Sequence, residues 1–292
     1  MIVLDLEKEI LEFKDSWAIN DFLKQYDFKD GETYKIIFPE ENIFETQKIF
    51  SDTYYNLRTL SLELNEFDDG YYLGNKNNPY LILFSVKDVD TINVNKNTKV
   101  IVNKAFYEKQ VKTVNIYSKE LLIEFQAFYF NIDLKEVNFF ENDDVTIDSC
   151  AFDFCKNINI FNFSNGLFRF KSNCFGSSRI NNLVLPSNGE YSIGCFKNVW
   201  CKTIYINKNV TDISDFGLGF NPEIYYEGNG NDLIIQHENE ETIETEQDYG
   251  FNFHRSSGSF NKTTIHSDEI RATGKNCHSN VDMKEYLSIV SK

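Results

Sequence analysis

Three periodic features predict a repeat solenoid, built mostly of short β-strands with turns and short helical pieces. The first is a phenylalanine beat: Phe106, Phe128, Phe152, Phe175, Phe196 and Phe216 are separated by 22, 24, 23, 21 and 20 residues. The residues before them are Ala105, Ala127, Ala151, Cys174, Cys195 and Asp215, all small except the last. The second is a pair of apolar residues two positions apart, the period of a strand: Ile92/Val94, Val114/Ile116, Val137/Phe139, Phe161/Phe163, Leu183/Leu185 and Ile204/Ile206. The third is an apolar residue five positions before the phenylalanine, at Ile101, Ile123, Ile147, Phe170 and Tyr191, which fails at Thr211. Units of this length cannot bury their own apolar side and share one continuous core with their neighbours.

Each unit therefore reads as a short strand, a turn, a second apolar position and a small-Phe pair. The small residue lets backbones approach, and each phenylalanine can stack on the next, which accounts for 15% aromatic content with 27 Phe and 16 Tyr. An incomplete unit follows, with Ile224 on the strand beat. Upstream, Ile37, Phe50 and Leu60/Leu62 make one degenerate unit, and the 56 residues from Phe50 to Phe106 require an insertion. The predicted organisation is a helical N-terminal cap over 1–33, a solenoid over 34–235 interrupted near 63–88, and a non-repeat C-terminal extension over 236–292. The cap rests on Ile10, Phe13, Trp17, Ile19 and Phe22, mostly three or four residues apart, with Asp15 or Ser16 able to cap a helix. In the extension, "VDMKEYLSIV" reads as a terminal helix with Val281, Tyr286, Leu287 and Val290 on its apolar face.

The units resemble the leucine-rich repeats of the BspA-like family, in which a hydrophobic strand and a turn precede an Ala-Phe pair with cysteine three residues on. Ala151, Phe152 and Cys155 match that pattern fully; Ala105/Phe106 and Ala127/Phe128 match without the cysteine; Cys174/Phe175 and Cys195/Phe196 carry Cys in place of Ala. Tyr71 to Ile101 resembles an interruption that recurs in such arrays, and "IYYEG", Ile224 to Gly228, resembles an array end. The resemblance implies a scaffold that binds other proteins, often at a cell surface. It also turns "CAFDFC", Cys150 to Cys155, from a candidate thiol centre into a registration mark: Cys155 is expected as a packed, reduced thiol, Cys174 and Cys195 as small buried side chains, and Cys150 falls in another phase.

The net charge of −16 argues against direct nucleic-acid binding, which needs a basic surface. The charge is −10 over residues 1–90, −1 over 91–230 and −5 over 231–292, so acid gathers at the ends and suits a partner with a basic surface. No run of 18 apolar residues occurs, so no membrane insertion is expected. The start, "MIVLDLEKEILEFKDSW", lacks the basic and apolar regions of a signal peptide, which points to the cytoplasm as the sequence stands, and to a secreted or surface site if a leader was removed.

Signatures of nucleotide binding, serine hydrolysis and helix-borne zinc are missing, and no catalytic residue, cofactor or metal is expected. His237, His254, His266 and His278, with Cys277, all lie in the extension at spacings of 17, 12 and 12, without a tight metal signature. "ENDD", Glu141 to Asp144, falls where a solvated turn is expected. The candidate face consists of the residues alternating with each strand's core pair: Asn93 and Asn95, Asn115 and Tyr117, Asn138 and Phe140, Asn162 and Ser164, Val184 and Pro186, Tyr205 and Asn207. Of these, Tyr117, Phe140, Asn162, Val184, Tyr205 and Asn207 are the expected protein-binding residues, with Phe140, Val184 and Tyr205 as apolar anchors if exposed. The leading reading is a non-catalytic protein-protein interaction module. The alternatives are an acidic inhibitor that mimics nucleic acid in a basic groove, for example one encoded by a phage against a nuclease, and an enzyme or metal site within 236–292.

Overall fold

The computed structural model describes residues 1–6, 22–23, 26–39, 57–218, 222–238, 241–245, 261–265, 268–271 and 277–290. Each repeat contributes two strands to two separate parallel sheets. One sheet runs through Thr91–Val94, Thr113–Ile116, Glu136–Phe139, Ile158–Asn162, Arg179–Val184, Trp200–Ile206, Glu223–Tyr226 and Cys277–Ser279; for its outer side chains it is called the asparagine sheet. The other runs through Val100–Ile101, Glu120–Ile123, Asp144–Ile147, Leu167–Phe170 and Gly189–Tyr191 and is called the charged sheet. The second apolar marker of the sequence is thus the inward residue of a second strand: Ile101, Ile123, Ile147, Phe170 and Tyr191 pair in register across the charged sheet. The strand pairs of the first marker face the same core from the asparagine sheet, where Ile92, Val114, Val137 and Phe161 are register partners.

The small-Phe pair lies in the corner that returns the chain from the charged sheet to the asparagine sheet. Neighbouring phenylalanines stack with ring centroids 4.0, 4.3, 5.3 and 5.2 Å apart from Phe106 to Phe196, and the Phe216 ring lies tilted 5.5 Å from that of Phe196. Ala105, Ala127, Ala151, Cys174 and Cys195 beside them are fully buried. The corner is shaped by left-handed residues two before and two after each phenylalanine: Lys104 and Glu108, Gln126 and Phe130, Cys150 and Phe154, Asn173 and Ser177, Gly194 and Asn198. This conformation reverses the chain tightly, at a cost to any residue with a Cβ. In return, backbone N–H groups point along the array and bond the next turn: Phe106 to Ala127, Phe128 to Ala151, Phe152 to Cys174, and Phe196 to Phe216, at 2.8–3.0 Å. The left-handed residues donate likewise, Cys150 to Asn173 and Phe154 to Gly176.

Cys150, Cys155, Cys174 and Cys195 belong to this corner, whereas Cys201 and Cys277 lie in strands. Cys155 is fully buried and its Sγ donates to the Phe128 carbonyl at 3.2 Å, one turn back. Ser178, its counterpart in the next turn, donates to the Phe152 carbonyl in the same way. In these two turns the residue three after the phenylalanine thus adds a side-chain donor to the corner carbonyl of the turn before. Burial pushes the Cys155, Cys195 and Cys201 thiols up to about 12, and the Cys174 thiol well above its ordinary range.

The N-terminal end departs from the expected plan. The N-terminus is not a helical cap in its described part: Ile2–Asp5 is a strand that pairs in parallel with Thr33–Ile37, which pairs in turn with Ser61–Leu62. Its alternation of Ile2 and Leu4 suits an extended segment with one buried side, and Ile10, Phe13, Trp17 and Ile19, the basis of the helical reading, lie outside the described residues, as does Phe50. The interruption near 63–88 forms antiparallel strands, Asn65–Glu66, Gly70–Leu73 and Ile82–Val86, which extend the charged sheet. Arg58 fastens the preceding segment to the array. It bonds the carbonyls of Phe84 (2.7 Å) and Asn103 (2.6 Å) and lies over the Phe84 ring. Burial lowers this guanidinium to about 10, opposed by the attraction of Glu124. Glu124 is itself fully enclosed, accepts the Asn103 N–H at 2.8 Å, and has its carboxyl raised well above the usual range by burial. Burial also raises Asp153, to about 6. At the other end, Ile234–Glu238 pairs with Asp268–Arg271, Glu241–Thr245 pairs with Asn261–Ile265, and Cys277–Ser279 adds to the asparagine sheet beside Glu223–Tyr226.

Three outcomes follow from these contacts. Gln126→Gly should stabilise the chain, and Gly194→Gln, for which side-chain space is open, should destabilise it, each by about 1 kcal/mol in urea titrations, because only the left-handed strain changes. Native chain treated with iodoacetamide at pH 8 should be alkylated at Cys150 or Cys277 but not at Cys155, Cys174, Cys195 or Cys201 until it is unfolded, as read by peptide mass spectrometry. A carboxyl whose folded pKa lies above its unfolded one binds more protons in the native state, so its contribution falls as pH rises from about 4.5 through the folded value. Glu124→Gln should therefore exceed the wild type in stability at pH 7.5, and the gap should narrow by pH 5.5; an equal loss of stability at both values would show that the Arg58 attraction outweighs the burial cost.

Candidate protein-binding face

The outer side of the asparagine sheet carries three columns of side chains. The middle column begins as an amide ladder. Asn115 Nδ2 donates to Asn93 Oδ1 at 2.9 Å, Asn138 Nδ2 to Asn115 Oδ1 at 3.0 Å, and Asn162 Nδ2 to Asn138 Oδ1 at 2.6 Å. Parallel strands in register make this possible, because identical residues then sit one strand spacing apart. Each interior amide spends one N–H and one acceptor site within the ladder and keeps further capacity for a partner. The column continues through Val184, Tyr205, Tyr225 and His278, as the pairing of the last strands shows.

The flanking column places Tyr117 and Phe140 side by side, stacked at 5.0 Å and 12°, with 41% and 42% of their surfaces exposed. The column on the other side runs through Thr113, Glu136, Ile160, Asn182 and Thr203, and Ile160 is exposed as well. Of the residues expected from sequence, Tyr117, Phe140 and Asn162 thus share one exposed area. Asn207 donates to Glu227 at 2.5 Å further along. Val184 is half-buried and Tyr205 is 1% exposed, so Tyr205 is no surface anchor.

The cover over Tyr205 is the C-terminal helix Met283–Val290. Tyr286 is fully buried against Tyr205 and Tyr225, with ring centroids 5.2 Å from each, and its hydroxyl meets Thr203 Oγ1 at 2.7 Å. Val281 and Tyr286 complete a small apolar cluster separate from the main core, with Val184 and Val290 packed at its margin. Leu287, expected on the buried face, is 52% exposed, as are parts of Met283 and Ile289. The reason is geometric: a two-turn helix set on a flat sheet offers one narrow stripe, and Tyr286 fills it. The sequence signalled the helix but not its seat, because the contact joins residues 83 positions apart.

His278 stacks on Tyr225 at 4.7 Å and meets Glu223 Oε1 at 3.2 Å, while Cys277 packs toward the main core. The two neighbours point to opposite faces of their strand. His254 and His266 and the side chain of His237 lie outside the described residues. Among the described residues no group of three or more His, Cys, Asp or Glu side chains converges as a metal site, and no helix is long and apolar enough to cross a membrane. The outer side of the charged sheet holds an open depression of about 450 Å³ lined by Glu120, Asp144, Asp148, Arg169 and Lys171. Its charges are largely engaged with one another, Lys99 with Glu120 at 2.9 Å and Arg169 with Asp144 and Glu190.

Residues 99–217 match, in 6 copies, the family model described as the BspA type leucine rich repeat region. No curated protein matches the sequence. The matched residues hold the recurring phenylalanine corner, the paired strands of the two sheets and the exposed Tyr117–Phe140 stack, and this array is a BspA-type leucine-rich repeat region.

Proposed function

We propose that this chain is a non-catalytic protein-protein interaction module, and that it binds its partner through the outer face of the asparagine sheet, around Tyr117, Phe140, Asn162 and Ile160. Leucine-rich-repeat solenoids commonly serve in this way, since stacked repeats present an extended, regular surface. The observation that carries the reading is the exposed Tyr117–Phe140 stack beside an amide ladder with unused hydrogen-bonding capacity. Large aromatics next to adaptable polar groups are the composition of energetic centres in interfaces. The two rings already hold each other in place, so little side-chain freedom is lost on binding. A partner with a basic surface would add a salt-sensitive attraction to the acidic ends of the chain.

The test is affinity capture with the full chain and with Tyr117→Ser/Phe140→Ser, followed by quantitative mass spectrometry. A specific partner should fall at least tenfold in recovery with the variant, while the thermal midpoint of the variant stays near that of the wild type, because both rings lie outside the core. Equal recovery by the two proteins would place binding elsewhere.

A further inference from the structure

The C-terminal helix shows what kind of structure this face accepts. It runs across the last strands of the asparagine sheet toward the open part of the face: Val281 bonds Tyr226, Tyr286 sits between Tyr225 and Tyr205, and Val290 lies at the margin with Val184. Beyond Val184 the same three columns continue, with none of the described residues seated over them, through Asn162, Ile160, Phe140, Asn138 and Tyr117. We infer that this uncovered stretch is a docking groove for a short amphipathic helix of a partner protein, which lies in line with the chain's own C-terminal helix and presents an aromatic residue with an aliphatic residue about one turn away. The inference rests on the reading of this face as a protein-binding surface and names the structural class of what it binds.

The uncovered stretch is continuous with a helix seat the chain already forms. Two turns of helix are too short to be stable alone, so the sheet must supply what holds residues 283–290 in place. It does so with a repeatable pattern: aromatic and aliphatic side chains in one column take the body of Tyr286, and a hydroxyl in the neighbouring column takes its tip. The next polar group in that column is Asn182, whose Oδ1 accepts from Thr203 at 2.9 Å. The uncovered stretch offers both kinds of part with the columns exchanged, polar in the middle and apolar on the flanks. Tyr117, Phe140 and Ile160 provide apolar bodies on both sides of the ladder, and Asn115, Asn138 and Asn162 provide the polar tips between them. An extended peptide fits less well. It would have to run across strands whose outer columns repeat at one strand spacing, which does not match the two-residue side-chain repeat of a β-chain. A helix meets a sheet face through side chains alone and needs no such match.

Two phage-displayed libraries selected on the full-length protein test this. One displays helix-stabilised amphipathic 14-residue peptides, the other peptides constrained as hairpin strands. The helical library should yield binders with an aromatic and an aliphatic residue three or four apart. Their affinity should drop at least tenfold with Phe140→Ser and with Ile160→Asn, and stay unchanged with Phe130→Ser, which alters an exposed ring in a corner. If only the strand library yields binders that depend on Phe140, the helical assignment falls while the binding face stands. If neither library yields them, both fall. Binders that depend on Tyr286→Ala but not on Phe140→Ser would mean displacement of the chain's own helix and would likewise overturn the groove.

Discussion

A turn of some 22 residues cannot enclose a core of its own, so everything in this fold depends on backbone contact between successive turns at the corner. Parallel strands hold the two sheets at one strand spacing, and the corner must keep that spacing or the array would splay. It does so with two left-handed residues around each buried phenylalanine, which aim alternate N–H groups at the next turn. The phenylalanines then stack because the backbone has already set their separation. The small neighbours are small for the same reason, since a larger side chain would fill the gap through which one corner bonds the next.

This constraint also builds the functional surface. Register kept at the corner is register kept at the outer face of the asparagine sheet, where it lines up Asn93, Asn115, Asn138 and Asn162 into a bonded amide ladder and brings Tyr117 against Phe140. Isolated surface asparagines would each be solvated separately. Aligned ones lock one another's orientation, for about 0.5–1.5 kcal/mol per bond, and give the face a fixed pattern of donors and acceptors. The same alignment gives the C-terminal helix its seat, so the chain uses at one end of the face the kind of contact inferred for the rest of it.

Much of this was legible in the sequence because solenoid physics is periodic. The phenylalanine beat located every corner, and the apolar pairs located the strands of the asparagine sheet. The third marker shows in sequence as a single apolar position although it is the inward residue of a second strand, for short strands such as Val100–Ile101 leave almost no alternation to detect. Three features were not legible. The left-handed residues include Lys104, Gln126, Phe130 and Cys150, none of which signals that conformation by its type. The burial of Tyr205 depends on Tyr286, and a contact between residues so far apart leaves no periodic trace. The N-terminal strand Ile2–Asp5 was missed for a related reason: it is stabilised by Thr33–Ile37, across a segment whose local spacing suggested a helix.

The central claim is that the corner, and not the sheets alone, holds the turns together as one cooperative unit. Native-state hydrogen exchange of the full chain tests it most directly. The amides of Phe106, Phe128, Phe152 and Phe196, which donate to the next turn, should exchange only through the same large opening that releases the strand amides of Val114, Val137 and Ile204, with equal free energies and equal denaturant dependence. Corner amides that exchange through small local openings, while the strand amides stay protected, would contradict it.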